Sequence, residues 1–288
     1  MASRQQLKQR ITSVKSTKQI TKAMELVSAS KMRRAQELAV KSRDYRNLAR
    51  QILARLRELT DVRKHPLYVQ RPVKTRLHII VTSNRGLAGA YNSNILKQLT
   101  RELQQDKAAG IASEAIVIGK QGARFIVRFE HVTVVAAYQD FPDHPTANDI
   151  RPILDTVVQK FVQGEADVVD ITYTDYKSSI SQEVTVERLL PAAYVDDPVS
   201  PDLEQAVFEP SPKVVLEEIT ERLIESQLDQ AFMESAASEQ SMRMMAMKNA
   251  TDNASDLIED LTLAFNTARQ AAITQELAEI TGGAEAIK

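Results

Sequence analysis

The 288-residue chain contains no cysteine and no tryptophan. Without cysteine it can form no disulfide, no thiolate metal site and no cysteine nucleophile. No apolar run approaches the ~20 residues that a membrane-spanning helix needs, so the chain is expected to be soluble or peripherally attached. Aromatic residues make up 5 % of it, few for a protein built around one thick core. Its 37 basic and 38 acidic side chains nearly cancel, and net charge alone names no partner. Hydrophobic residues at 43 % exclude a disordered chain.

Glycine and proline are scarce, and their positions say more than their number. None occurs from Met1 to His65 or from Lys213 to Thr281. Each breaker-free stretch can form one helix of roughly 100 Å. The 147 residues between them, folded compactly, have a radius of gyration of only about 15 Å. Helices so long are expected to project from such a body. Leu38, Ser42, Tyr45, Ala49, Ile52, Leu56 and Leu59 follow alternating steps of four and three. Ala250, Ala254, Leu257, Leu261, Ala264, Ala268 and Ala271 do the same. This is a coiled-coil seam, and its alanines let two helices approach closely. Four methionines (242, 244, 245 and 247) cluster where the heptad is poorly kept, which fits adaptable packing. Ser3 with Gln6 has capping-box spacing, Pro212 precedes the second helix, and Gly282–Gly283 is its expected stop.

Charge separates the arms. Residues 1–64 carry a net +12 and residues 213–288 a net −8, with −5 between them. Opposite signs favour an antiparallel pair closed by the middle segment. Residues 1–24, with six Lys/Arg and no acid, have the composition of a transit peptide. The helical pattern continues past them without a shift, so a mature helix is expected.

From Arg76 short apolar runs alternate with helical patterns. Strands are predicted at Leu77–Thr82, Ala115–Ile118, Val132–Ala136, Val168–Tyr173 and Glu183–Leu189. Helices are predicted at Asn92–Gln105, Gln121–Arg128 and Asp149–Val162. The expected fold is an α/β domain with a mostly parallel, Rossmann-like sheet over 65–212, flanked by coiled-coil helices 1–64 and 213–288. Pro191–Pro212, with five prolines, reads as an extended connector. Gly86-x-x-Gly89 and Gly119-x-x-Gly122 lack the third glycine of a dinucleotide fingerprint, and no phosphate loop is present. Tight turns feeding helices are the simpler reading. The histidines (His65, His78, His131 and His144) are scattered, and no serine sits in a nucleophile elbow. No catalytic residue, cofactor site or metal site is therefore assigned.

Several stretches carry a resemblance. Ile20-Thr21-Lys22-Ala23-Met24-Glu25-Leu26-Val27-Ser28-Ala29-Ser30-Lys31-Met32 resembles the N-terminal helix of the gamma subunit of F-type ATP synthases. Met247-Lys248-Asn249-Ala250-Thr251-Asp252-Asn253-Ala254 is similar to that family's C-terminal signature, and Ala268-Arg269-Gln270-Ala271-Ala272-Ile273-Thr274-Gln275-Glu276 to its last turns. Thr82-Ser83-Asn84-Arg85-Gly86-Leu87-Ala88-Gly89-Ala90-Tyr91-Asn92 resembles its strand-to-helix loop.

The resemblance implies a non-enzymatic rotor shaft. Its partners would be a ring of three alpha and three beta subunits, the epsilon subunit and the membrane ring of c subunits. It would lie peripherally on the cytoplasmic face of a bacterial membrane and couple proton flow to ATP synthesis. Lys22, Met24 and Lys31 match the segment that meets acidic loops of beta. Arg243, Arg269, Gln270, Thr274 and Glu276 match positions implicated in contacts with the ring's inner surface. Arg85, Gly86 and Gly89 form a further candidate contact loop. The regulatory insert and cysteine pair of plant chloroplast forms are missing, which favours a bacterial origin. Two other classes compete. A +12 arm could bind nucleic acid, but its charges are spread around the helix and Tyr45 is its lone aromatic. An enzyme built on the α/β domain would need a nucleotide signature that the sequence lacks.

Overall fold

A computed structural model describes residues 4–193, 203 and 205–285, and their side chains except those of 40–46, 279 and 282–285. The breaker-free ends are helices: α1 spans Arg4–Leu59, and the last helix, α5, spans Pro212–Glu285. Between them lie β1 (Thr75–Val81), α2 (Tyr91–Ala109), β2 (Ala112–Ile118), α3 (Lys120–Ile126), β3 (Val132–Tyr138), α4 (Ala147–Val162), β4 (Val168–Tyr176) and β5 (Gln182–Leu190). All five expected strands and all three expected short helices are found. The chain forms two compact units, Met1–Ser28 with Arg243–Lys288, and Ala29–Met242.

In the larger unit the sheet order is β3-β2-β1-β4-β5, with the first four strands parallel and β5 antiparallel to β4. The β-branched runs Ile79-Ile80-Val81 and Ile116-Val117-Ile118 are buried on both faces, as a covered parallel sheet requires. One face packs α4 and part of α5, through Ile153, Val157, Phe161, Ile224, Leu228 and Phe232. The other packs α2 and α3, through Ile95, Leu99, Leu103 and Ile126. A third cluster joins Ala49, Leu53 and Leu56 of α1 to Leu216 and Leu223 of α5. Gly110 ends α2 in the left-handed conformation, with φ 70°.

The second glycine pair is a close approach more than a turn. A Cβ at Gly119, whose φ is 93°, would lie 2.2 Å from the Thr82 carbonyl oxygen. Thr82 Oγ1 donates to the Ile118 carbonyl at 2.7 Å and accepts from Gly122 N at 2.9 Å. The glycines thus let β2 turn into α3 directly against the end of β1. Gly86, in the first pair, has nothing within 4 Å of an added Cβ.

In the smaller unit the most covered side chains of α1 are Leu7, Ile11, Val14, Lys18, Thr21, Glu25 and Ser28, again in steps of four and three. Those of α5 are Met247, Thr251, Ala254, Ile258, Leu261, Phe265, Ala268 and Ala272. The 3.5-residue period is the expected one and winds the helices left-handedly. The register on α5 differs from expectation at one position of each heptad. Thr251, Ile258 and Phe265 take the places assigned to Ala250, Leu257 and Ala264, and Leu257 stays 46 % exposed. Phe265 buries more apolar area than Ala264 beside it, and that favours this rotation of the helix. The terminal prediction also changes, since α5 runs through Gly282–Gly283 to Glu285. Each glycine costs a helix only about 1 kcal/mol relative to alanine. Ser3 and most of the proline-rich connector lie outside the described residues, as do the side chains of Ser42 and Tyr45.

Thr251 Oγ1 lies 2.8 Å from Thr21 Oγ1 and 2.8 Å from the Met247 carbonyl, and both threonines are buried. The Thr21 hydroxyl in turn donates to the Lys18 carbonyl at 3.1 Å, so it can accept the Thr251 proton. This polar contact fixes the register of a seam otherwise poor in shape. Thr251→Val should cost about 1 kcal/mol, because it removes the bond between the two buried threonines and leaves an apolar group facing the Thr21 oxygen. Thr21→Val with Thr251→Val should recover most of that loss. Urea unfolding of the full chain measures both, and simple additivity of the two single losses would contradict the pairing.

Candidate partner interface

In open α/β sheets, ligands sit where crossovers reverse direction, outside the carboxyl ends of the strands. Here the reversal lies between β1 and β4. The place is filled from within the chain. Phe232 of α5 packs on Phe141 with ring centroids 5.0 Å apart, and Ser235 Oγ lies 2.6 Å from Tyr91 OH. The remaining cavity, lined by Val81, Thr82, Ile118, Phe141 and Phe232, measures about 40 Å³. Small-molecule sites are typically ~300 Å³ or more, so a water fits there and a nucleotide does not. A shallower depression of about 370 Å³ lies beside Tyr138, Phe141 and Pro152. Two carboxylates, Asp140 and Asp149, line it and would repel phosphate. Asp149 is held below the usual carboxylate range by the backbone N–H of Thr146 and then by that residue's hydroxyl.

The surfaces are more informative than the cavities. In the smaller unit Lys22 is exposed and paired to Glu25 at 3.0 Å, and Met24 is half-buried on the neighbouring face. Ile20, Leu26 and Val27 stand 56–60 % exposed around them, without a covering element. Arg269, Gln270, Thr274 and Glu276 are all exposed. The Thr274 hydroxyl donates to the Gln270 carbonyl at 3.0 Å. Arg243 is 7 % exposed and engaged within the chain.

In the larger unit Lys31 pairs with Asp143 at 2.7 Å. Arg85 and Gly86 are exposed at the end of β1, beside Leu87, which is 64 % exposed with φ 63°. The loop is anchored beneath its tip, where Asn92 Oδ1 accepts from Ser83 N at 3.0 Å. Gly89 has φ 55°, a left-handed conformation that suits glycine. Among the described residues no group of His, Asp and Glu could hold a metal ion, and no helix is long and apolar enough to cross a membrane.

Sequence reasoning missed two features. Leu263, Ile273, Leu277 and Ile280 stand 46–69 % exposed on α5. They are apolar residues off the heptad seam, and a helical projection of residues 257–281 would have shown them. Contiguous exposed apolar side chains of this kind mark an interaction surface. The second is a buried ionic cluster around His78, whose members lie far apart in sequence.

The family model described as ATP synthase matches residues 3–287. The ATP synthase gamma chain of Psychrobacter arcticus is 40 % identical over 293 aligned positions, covering all of both chains. That of Exiguobacterium sibiricum is 43 % identical and covers 99 % of each. Among solved structures, a central-stalk chain of the Tetrahymena thermophila mitochondrial ATP synthase shares 25 % identity with a TM-score of 0.62. It covers 80 % of this chain and 99 % of its own. A chain of the Euglena gracilis mitochondrial ATP synthase is 18 % identical, covers 98 % of this chain and 93 % of its own, and has a TM-score of 0.67.

Proposed function

Because the chain belongs to the ATP synthase gamma-chain family, we propose that it is the central-stalk rotor of a proton-translocating F-type enzyme. It performs no chemistry itself. The helices within 1–64 and 213–288 form the shaft inside a ring of three alpha and three beta subunits, whose beta subunits carry the catalytic sites. The α/β domain, within 65–212, is the foot that binds epsilon and the ring of c subunits. The complex lies on the cytoplasmic face of a bacterial membrane.

The observation that carries this reading is a paired-helix unit whose own seam leaves Leu263, Ile273, Leu277 and Ile280 uncovered. A monomeric protein rarely leaves such a row in water, whereas a shaft enclosed by a sleeve covers it in turn with each subunit of the ring. Two unlike helices also make an asymmetric rod. A symmetric rod would act equally on the three sites and shift none relative to the others. Contacts with the beta loops are Lys22 and Met24 in the smaller unit and Lys31 in the larger, with the Arg85–Gly89 loop a second contact zone. Arg269, Gln270, Thr274 and Glu276 form a third. Arg243, which the resemblance also assigns to the ring contacts, is buried and engaged within the chain.

The test is assembly of the full chain with an alpha-beta ring and a bead fixed to the α/β domain. ATP should drive turning in one direction. A chain that assembles but stays still while ATP is hydrolysed would refute the rotor assignment. A finer expectation concerns the third zone. Single exposed contacts are worth about 1 kcal/mol or less, so one alanine should lower assembly slightly. Alanine at Arg269, Gln270, Thr274 and Glu276 together should weaken head assembly about tenfold or more. Unchanged assembly and torque in the quadruple variant would remove this zone from the interface.

A further inference from the structure

A cluster of charged side chains is buried between the sheet and α2 of the larger unit. On β1, Arg76 and His78 share a face, because side chains two residues apart point the same way. The strand register puts His78 opposite Asp170 of β4, and Asp170 opposite Arg188 of β5. From α2, Glu102 and Asp106 come down on the same row, four residues apart and so on one helix face. His78 is wholly inaccessible, and Glu102, Asp106 and Asp170 are all less than 10 % exposed.

The contacts close on one another. Arg76 reaches Asp106 through Nε at 3.1 Å and Asp170 through Nη1 at 2.7 Å. Arg188 pairs with the same Asp170. Around these groups, Ser113 of β2 lies 3.4 Å from Asp106, and Thr172 of β4 lies 3.4 Å from Glu102. His78 stands between the two carboxylates of α2, with Nε2 2.8 Å from Asp106 Oδ2 and Nδ1 3.5 Å from Glu102 Oε2.

Two guanidinium groups therefore face three carboxylates, and one positive charge is wanting. Nε2 of the His78 ring hydrogen-bonds Asp106, and Nδ1, buried without a hydrogen-bond partner, has the Glu102 carboxylate as its neighbour. A neutral imidazole has a proton on one nitrogen only and would aim its other lone pair at an anion. An unpaired charge at such depth is far more costly than a paired one.

We propose that His78 is the third cation of this cluster, an imidazolium that pins α2 to the sheet, and that its proton makes the α/β domain a pH-sensitive body which loosens under alkaline conditions. Burial alone would pull the ring down. The carboxylates of Asp106 and Glu102 outweigh burial and hold it above the ordinary histidine value of 6.5. His65 and His144 move the other way, each lowered first by burial. Glu217 partly offsets the drop at His65, and Arg34 adds to it at His144. With the folded value above the unfolded one, the stabilisation is complete below pH ~6.5 and is lost as pH rises through the folded value.

The experiment uses the full chain with ¹⁵N-labelled histidine, whose four rings give four sets of signals. Single substitutions His65→Gln, His131→Gln and His144→Gln each delete one set and assign His78 by elimination, without touching the cluster. At pH 6.5 the His78 ring should be mainly protonated on both nitrogens while those of His65 and His144 are mainly neutral. Above pH ~6.5 the unfolding equilibrium constant should rise up to about tenfold per pH unit until His78 has titrated. His78→Gln should be less stable at pH 6 and lack that rise. A His78 ring mainly neutral at pH 6.5 would overturn the proposal, including the case in which Glu102 holds the proton. A pH slope unchanged in His78→Gln would overturn it too. Should that variant fail to fold, the ring spectra of the unsubstituted chain decide.

Discussion

Gly119→Ala should destabilise the α/β domain by about 3 kcal/mol or more, enough to unfold a marginal domain. Two costs combine. The position has φ 93°, a conformation that residues with a Cβ adopt only under strain. The new methyl would also lie 2.2 Å from the Thr82 carbonyl oxygen and 2.7 Å from its carbon. These are backbone atoms and cannot swing aside as a side chain would. Thr82 N donates to the Ile118 carbonyl and Gly119 N to the Tyr138 carbonyl, each at 2.8 Å, so moving either strand end breaks sheet hydrogen bonds. Gly86→Ala is the matched control. It has open space around it and should change stability by no more than about 0.5 kcal/mol. Urea unfolding of both variants tests the contrast, and equal midpoints would refute it.

Asp170→Ala should cost about 3 kcal/mol. Asp170 is 2 % exposed and accepts from two arginines on different strands. Removing it leaves Arg76, itself largely buried, with Asp106 as its remaining acid. Breaking a buried pair from one side is typically worth 3–5 kcal/mol, most of it the penalty on the charge left behind. Arg188 is nearly half-exposed and can turn to water, which holds the expected loss to the lower end. Adding Arg188→Ala to Asp170→Ala should therefore cost little more, and a double-mutant cycle reads the coupling. A loss below 1 kcal/mol for Asp170→Ala alone would show that the cluster contributes little.

The parts of the fold visible in the sequence were those decided by local pattern. Ile79-Ile80-Val81 and Ile116-Val117-Ile118 could hardly be anything but buried strands, and each was found within a few residues of its predicted ends. The heptad period was legible because nothing in residues 1–65 or 213–281 interrupts a helix. Its rotation was not, since the choice between Ala264 and Phe265 depends on what the partner helix presents. The two glycine pairs look alike in sequence, yet only Gly119-x-x-Gly122 meets another strand. The ionic cluster was out of reach for a similar reason. Arg76, Glu102, Asp170 and Arg188 come together only once the strand order is known. His78 falls inside the predicted strand Leu77–Thr82, but its two acidic partners come from a helix whose register the sequence does not reveal. The contact residues were supplied by resemblance. Lys22 and Arg269 have ordinary surroundings that would not have singled them out.

The packing of α5 into the sheet has a consequence for the order in which the molecule is made. Ile224, Leu228 and Phe232 complete one core cluster, and Leu216 and Leu223 complete another with Ala49, Leu53 and Leu56. The first 59 residues therefore leave the ribosome well before the segment they must bury against. At typical synthesis rates the 150 or so residues between them take roughly ten to thirty seconds. Throughout that interval the nascent helix carries an unpartnered apolar stripe, which invites it to find another nascent copy. Its net charge of +12 over residues 1–64 opposes such an encounter, because two copies repel until the acidic C-terminal segment arrives. The asymmetry of charge between the chain's two ends thus also acts as a timer, keeping the early half apart from its own kind until the late half can claim it.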